Sequence, residues 1–318
     1  MIVTVTMNPA VDKVYWVESL KVCQITQEEF LTRATRSSTS AGGKGANISR
    51  FLSAFGVDNV AMGFVGGNTG HVVVRYLQRK GVTTNFVWIH EETRVNVTIL
   101  EEGRSHSPNL INERGPTVTP EEIERFMRRF QRMAKRASWI VLGGSLPQGV
   151  DVGIYAELTK IARASGAKVV ISAGGEALSQ AVGACPYLIK PDTREHMVFE
   201  GKALTTTESI VAAARHVIDL GVQMVVISHD VTGDIVLTPE ASWEIEAKVP
   251  TSAFKNLVGA DDAFLGGILL KLTQDAPVEE ALRFGMAAGI ASAESEKKIC
   301  EDRATVEAEM KKISVERI

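Results

Sequence analysis

The chain has 318 residues, 45% of them hydrophobic and 23% charged, with a formal net charge of -3. That is enough length for one large core, or a core plus a smaller unit, and the near-neutral balance leaves no electrostatic footprint for nucleic acid or another polyanion. No apolar run approaches the ~18 residues a bilayer requires, and no charged stretch precedes an apolar one at the N-terminus as a secretory signal would.

The three cysteines, Cys23, Cys185 and Cys300, are far apart and odd in number. They read as reduced thiols of a cytosolic protein, neither a disulfide frame nor a zinc site. The six histidines form no HExxH and no cluster with metal-ligand spacing.

In chain order, the first strand runs into NPAVDK (8–13). Asp12 there is either a surface turn carboxylate or an acceptor for ligand hydroxyls. Residues 12–40 and 84–114 contain stretches such as VYWVESLKV and FVWIHEETRVNVTIL. Their polar, charged and β-branched mix reads as exposed strands with hairpin turns. Between them, AGGKGANISR (41–50) leads into a helix. It has neither Walker A nor GxGxxG spacing. Gly42 and Gly43 still permit close backbone approach, and Lys44 and Asn47 can bond hydroxyls or a phosphate. A purely structural turn is the plainer alternative.

From about residue 117 helix and strand alternate. Thr119-Pro120-Glu121-Glu122 is a capping box with Pro at the first helical position. The helix it opens puts Ile123, Phe126, Met127, Phe130, Met133 and Ala134 on one face, and Arg125, Arg128, Arg129 and Arg132 on a solvated remainder. SWIVLGG, AKVVIS, YLIK (187–190) and QMVVIS (223–228) are apolar strands separated by amphipathic helices, one stopped by Gly166. This predicts a mostly parallel sheet with helices on both faces, and ligands beyond the C-terminal strand ends. In LGGSLPQGV (142–150), Ser145 lines a cleft or caps a turn. The expected plan is an α/β core from 1–11, 41–83 and 115–318, with 12–40 and 84–114 forming a small β lid.

VGADDAFLGG (258–267) carries the sharpest chemistry. A turn feeding a helix offers unpaired N–H groups and a positive dipole end, which suits a phosphoryl group in transit. A carboxylate in the first turn can take a proton from an attacking alcohol. In phosphoryl transfer that base need not be strong, because positioning and charge neutralisation dominate. Two acidic residues that merely favour the helix dipole are the bland alternative.

Together these segments resemble the PfkB (ribokinase-like) carbohydrate kinases. They are closest to the branch containing 1-phosphofructokinase and tagatose-6-phosphate kinase. TVTMNPAVDKVYWV, AGGKGANISR, GFVGGNTG, TRVN (93–96), INERGP (111–116), LGGSLPQGV, GEAL (175–178), LIKPDTRE (188–195), VGADDAFLGG and ALRFGMAAGIASA (281–293) match in the family's order along nearly the whole chain.

The resemblance implies a three-layer α/β/α core with an eight- or nine-stranded sheet, and a β lid that pairs two copies into a homodimer. It implies transfer from ATP, with Mg2+, to a ketohexose phosphate, of the fructose 1-phosphate to fructose 1,6-bisphosphate type. Tagatose 6-phosphate and fructose 6-phosphate are the alternative acceptors. Asp262 is then the general base, and the amides of Gly259, Ala260, Asp261 and Asp262 the anion hole. Asp12, Gly42, Gly43, Lys44, Asn47 and Ser145 match sugar-phosphate positions, and Arg94 a bidentate ligand for the substrate phosphate, which Lys44 helps anchor. Lys190, Ser228, Gly233 and Gly259 fall on the nucleotide side. Glu195 and Asp192 match the motif tied to Mg2+.

Departures cluster on that nucleotide side. The family's G-A-G-D is here G-A-D-D, so Asp261 stands where glycine is usual. If the position needs positive φ, a side chain there costs roughly 1–2 kcal/mol. A carboxylate ~4 Å from a phosphate charge is repelled by about 4 kcal/mol at an effective dielectric of 20. Asp261 must therefore point away or meet a cation, Mg2+ or Lys255 being the candidates, and Asp261→Gly is expected to leave activity equal or higher. Ser228-His229-Asp230, Ser172, Asp192 and the Glu296-Lys297-Lys298 stretch also replace usual residues. They motivate a rival reading, a sugar-phosphate binder without catalysis.

Overall fold

The segment IVTVT is buried at all five positions, so it belongs inside a sheet covered on both faces. In the computed structural model, which describes residues 1–21, 31–103, 108–192, 198–199, 202–204, 206–228 and 232–318, it is the centre of the molecule. This strand, β1 (Ile2–Thr6), pairs in parallel with β4 (Asn59–Gly66) on one side and β9 (Trp139–Gly143) on the other. Beyond β9 the parallel run continues through β10 (Lys168–Ser172), β11 (Leu188–Ile189) and β14 (Met224–Ser228). β15 (Gly233–Leu237), β16 (Ser242–Ala247) and β17 (Ile313–Arg317) then add an antiparallel edge. On the far side β5 (Thr83–Thr84) and β6 (Val87–Ile89) pair with β4. The sheet thus has eleven strands, more than the eight or nine expected, because two short strands extend one margin. β12 (Val198–Phe199) and β13 (Lys202–Ala203) form a separate hairpin.

Helices cover both faces. Against one lie α3 (Pro120–Ala134), α4 (Ile154–Ala164), α5 (Gly175–Val182) and α6 (Thr207–Asp219). Against the other lie α1 (Lys44–Ala54), α7 (Ala260–Leu272), α8 (Val278–Ala293) and α9 (Arg303–Glu309). α2 (Gly67–Arg79) packs toward the lid. α3 begins with the predicted capping box: Thr119 accepts from the Glu122 amide, and Glu122 accepts from the Thr119 amide. Its Phe126 and Phe130 are fully buried, a burial worth about 1.5–3 kcal/mol each.

α7 and α8 cross so closely that a Cβ on Gly267 would lie 2.8 Å from the Gly285 Cα. Side chains are excluded at that crossing, and this fixes the height of α7, whose first turn carries the acidic pair.

The lid is a four-stranded sheet ordered β3-β2-β7-β8, built from β2 (Ala10–Val17), β3 (Arg36–Gly42), β7 (Arg94–Glu101) and β8 (Asn109–Asn112). β2 leaves the core directly after β1, so Asp12 sits at the junction of core and lid. β6, inside the second expected insertion, belongs to the main sheet; that insertion joins the lid only from Arg94. Among the described residues no helix is long and apolar enough to cross a membrane. Cys185 and Cys300 are free thiols, and Cys23 lies outside the described residues.

Candidate active site

α7 starts at a turn only glycine fits comfortably. Gly259 has φ 92 and ψ -6, and a Cβ there would meet the Lys298 carbonyl oxygen at 2.7 Å. Three residues on, Asp262 is buried and turns toward α1, where Asn47 Nδ2 donates to its Oδ2 at 2.7 Å. The Lys44 ammonium, at the start of α1, stands 3.9 Å from the other Asp262 oxygen and 3.3 Å from Asp192. Lys44 was expected beside Arg94 at the substrate's phosphate. Its place at the head of α1 instead brings it to Asp262 and Asp192.

Asp12 forms a second focus. A Cβ on Gly42 would fall 2.1 Å from Asp12 Oδ2, so the glycine is what lets this carboxylate lie flat against the backbone. Asn96 Nδ2 donates to Asp12 Oδ1 at 3.0 Å, and Lys298 Nζ donates to Oδ2. Asn47 and Asn96 therefore each hold a carboxylate through the amide NH2. Their carbonyl oxygens, and that of buried Asn8, have no hydrogen-bond partner among the described residues. A buried acceptor left so is costly.

Arg94 lies two residues along β7 from Asn96. Its guanidinium donates to the Asn8 carbonyl at 3.0 and 3.2 Å and to the Glu113 carbonyl at 3.0 Å. Burial pulls it below the usual guanidinium range, with Asp12 and Glu113 opposing. It opens on a cleft of about 590 Å³ also lined by His90, Arg114 and Glu113. The carboxylates there are engaged by backbone amides: Glu91 by Thr117, Glu92 by Asn68 and Thr69, Glu113 by Val95. Ser145 is exposed and meets Asn8 Nδ2 at 3.4 Å.

On the opposite side, Lys190 is 3% exposed, follows β11, and lies 3.1 Å from Asp261. It also donates to Ser228 Oγ at 2.7 Å, which in turn donates to Asp234 at 2.6 Å. Burial would lower this ammonium's pKa, but Asp261, Asp234 and Asp192 outweigh it and hold the group above its ordinary range. This corrects two expectations. Asp261 meets Lys190 and not Lys255, which is exposed and neighbours Glu296. The backbone at Asp261 is helical, the positive φ belonging to Gly259, so no strain arises there. Gly233 opens β15 beside this network.

Two of the four expected anion-hole amides already donate to carbonyls, Ala260 to Leu257 at 3.2 Å and Asp262 to Gly259 at 3.1 Å. Among the described residues no group of three or more His, Cys, Asp or Glu could hold a metal. Glu195, expected at Mg2+, and His229-Asp230 lie outside the described residues.

Asn8, Asn96 and Lys298 were not singled out in advance. Asn8 and Asn96 lie inside quoted motifs, and for Asn96 asparagine within a strand was the available signal. Lys298 gave none: it reaches a partner 286 residues away in sequence.

A buried carboxylate in the first turn of a helix behind a glycine turn, with a second at the junction of core and lid, is the arrangement expected of a small-molecule kinase. The chain belongs to the pfkB family carbohydrate kinases, whose model matches residues 6–301. It is 33% identical over 93% of both chains to a 1-phosphofructokinase of Bacillus subtilis (strain 168). It is 28% identical over 92% of both to a tagatose-6-phosphate kinase of Staphylococcus epidermidis (strain ATCC 35984 / DSM 28319 / BCRC 17069 / CCUG 31568 / BM 3577 / RP62A). The solved structure of a possible 1-phosphofructokinase from Thermotoga maritima superposes with a TM-score of 0.91 at 33% identity, over 100% of this chain and 99% of that one. The rival reading of a non-catalytic binder loses one of its motives, since the charge of Asp261 is met by a lysine.

Proposed function

We propose that this kinase transfers the γ-phosphoryl group of ATP to fructose 1-phosphate, giving fructose 1,6-bisphosphate. The observation that carries the proposal is the joint position of Asp262 and Asp12. Asp262 is held by Asn47, Asp12 is held by Asn96 and Lys298, and Lys298 also borders the glycine turn that opens α7, which ties the two carboxylates to one neighbourhood. Sugar hydroxyls donate to Asp12. Arg94 and Arg114 receive the phosphate already on the sugar, in the cleft whose own carboxylates are taken up by amides. Asp262 removes the proton of the acceptor hydroxyl as its oxygen attacks the γ-phosphorus. The bond from that phosphorus to the bridging oxygen breaks, and ADP leaves. Lys44, between Asp262 and Asp192, neutralises charge on the moving group.

Mg2+ binds through one or two carboxylates and substrate phosphates, and Asp192, 3.3 Å from Lys44, is a carboxylate of that kind on the nucleotide side. Asp192 and Glu195 would hold it, and when bound it would neutralise nucleotide phosphate charge. The exposed Leu110 and Ile111 on the outer lid strand β8 support pairing of two lids in a homodimer.

A coupled assay of fructose 1-phosphate, tagatose 6-phosphate and fructose 6-phosphate against ATP and GTP tests substrate and donor. Asp262→Asn should lower kcat by about 10²–10⁴-fold with little change in KM for either substrate. If kcat survives that change, Asp262 is not the base.

A further inference from the structure

The loop after α8 is fastened to the lid at two points. Arg36 of β3 lies 2.8 Å from Glu296, both side chains being about half exposed; that pair sets position and adds little stability. The second tie is sheltered: Lys298 Nζ is bonded to Asp12 Oδ2, and the two side chains are 12% and 7% exposed. The same lysine lines the glycine turn ahead of α7, where a Cβ on Gly259 would come within 2.8 Å of Lys298 Cγ. Its main chain thus borders the turn at which the phosphoryl group arrives, while its ammonium rests on the carboxylate that floors the sugar. Nothing in the steps above uses this cation.

That resting place changes when the sugar enters. Oδ1 of Asp12 accepts from Asn96 and Oδ2 from Lys298, so a sugar hydroxyl that donates to Oδ2 shares that oxygen with the ammonium and weakens its hold. Lysine is a compact charge on a flexible four-carbon stem, so its ammonium can swing toward new negative charge with its backbone in place. The new charge is the phosphoryl group at the adjoining turn, where a water-poor setting makes a cation most effective.

We infer that Lys298 is a catalytic cation, parked on Asp12 until sugar binds and then touching the phosphoryl group as it moves between donor and acceptor. This rests on the phosphoryl-transfer reading above and adds to it a residue from the C-terminal loop, with sugar binding as the event that frees it. Lys298 keeps its protons throughout: the acceptor's proton goes to Asp262, one P–O bond forms to the sugar and one breaks to ADP.

The test uses the full chain with Lys298→Met and Lys298→Arg. Lys298→Met should lower kcat about 10²–10³-fold with both KM values within about threefold, and Lys298→Arg should recover at least about tenfold of that loss. A second readout separates catalysis from scaffolding. Thermal stabilisation by fructose 1-phosphate with MgADP should survive in Lys298→Met, whereas the further stabilisation given by aluminium fluoride, a mimic of the phosphoryl group in flight, should vanish.

A wild-type kcat in Lys298→Met, a change in KM alone, or loss of stabilisation by both ligand sets overturns the inference. If Lys298→Met melts far below wild type, Lys298→Gln, which keeps a hydrogen bond to Asp12 without the charge, carries the same expectation. A wild-type protein that phosphorylates no ketohexose phosphate would instead refute the proposed function, and this inference with it.

Discussion

At Lys190 and Asp261 the chain compensates one unusual residue with an ordinary one. The lysine is almost wholly buried beside Phe264, whose ring centre lies 5.6 Å from the ammonium. Such a cation demands carboxylates, and Asp261 is the nearest of those around it. The expectation that Asp261→Gly would be harmless therefore gives way to a different one. Asp261→Asn, which keeps the shape and removes the charge, should cost about 1–3 kcal/mol of unfolding free energy, the lower end reflecting the remaining help of Asp234 and Asp192. It should also lower KM for the nucleotide, because Lys190 no longer has that carboxylate to give up. Urea titration and steady-state kinetics measure the two effects. Unchanged stability would mean the pair contributes nothing net. Sequence could show that Asp261 needed a cation, but not which one, since β11 and α7 are brought together only by the sheet.

Among the helices, α7 and α8 cross with little tolerance. A Cβ on Gly285 would lie 2.6 Å from Ile268 Cγ1 and 2.9 Å from the Phe264 carbonyl. Gly285→Ala should push α7 outward, carrying Asp262 away from Asn47. We expect a loss of about 1–3 kcal/mol in stability and a drop in kcat larger than the change in either KM, since a small displacement of a positioned base is costly. A variant of normal stability and kcat would show that the crossing is looser than its geometry implies.

Much of this layer was readable in advance. The alternation of apolar strands and amphipathic helices, the capping box at Thr119 and the glycine turn at 259 are local signals, and each appears where the periodicity put it. The lid's margin was not readable, because FVWIHEETRVNVTIL contains one core strand and one lid strand and nothing local separates β6 from β7. The site shared this limit. Asp262, Asp12 and Asn47 stand in recognisable motifs, whereas Lys298 and the Lys190–Asp261 pair are products of tertiary folding.

Across the whole molecule, charged contacts join segments distant in sequence. Arg50 of α1, Lys80 at the end of α2 and Glu301 after α8 meet at 3.1 and 2.5 Å. Burial pushes the Glu301 carboxyl up, but Lys80 and Arg50 outweigh it and hold it below the ordinary value of 4.5. A depressed carboxyl contributes stability that is complete above its unfolded value and is lost as pH falls through the folded one. Glu301→Gln should thus lower Tm at neutral pH, and the gap from wild type should close as the solution is acidified below about 4.5. A gap that persists in acid would assign the effect to packing.

In the cleft the same habit is denser. Lys44 faces Asp192 and Asp262, Lys190 faces Asp261, and Lys298 faces Asp12. Before any ligand arrives, then, every one of these ammonium groups has a tenant. Ligand anions here must evict carboxylates and not simply fill bare positive charge, which trades tight capture for ready release. Small oxyanions in the buffer face the same eviction at these three lysines, so inhibition by sulfate or phosphate salts should arise at Arg94 and Arg114 and compete with the sugar phosphate alone.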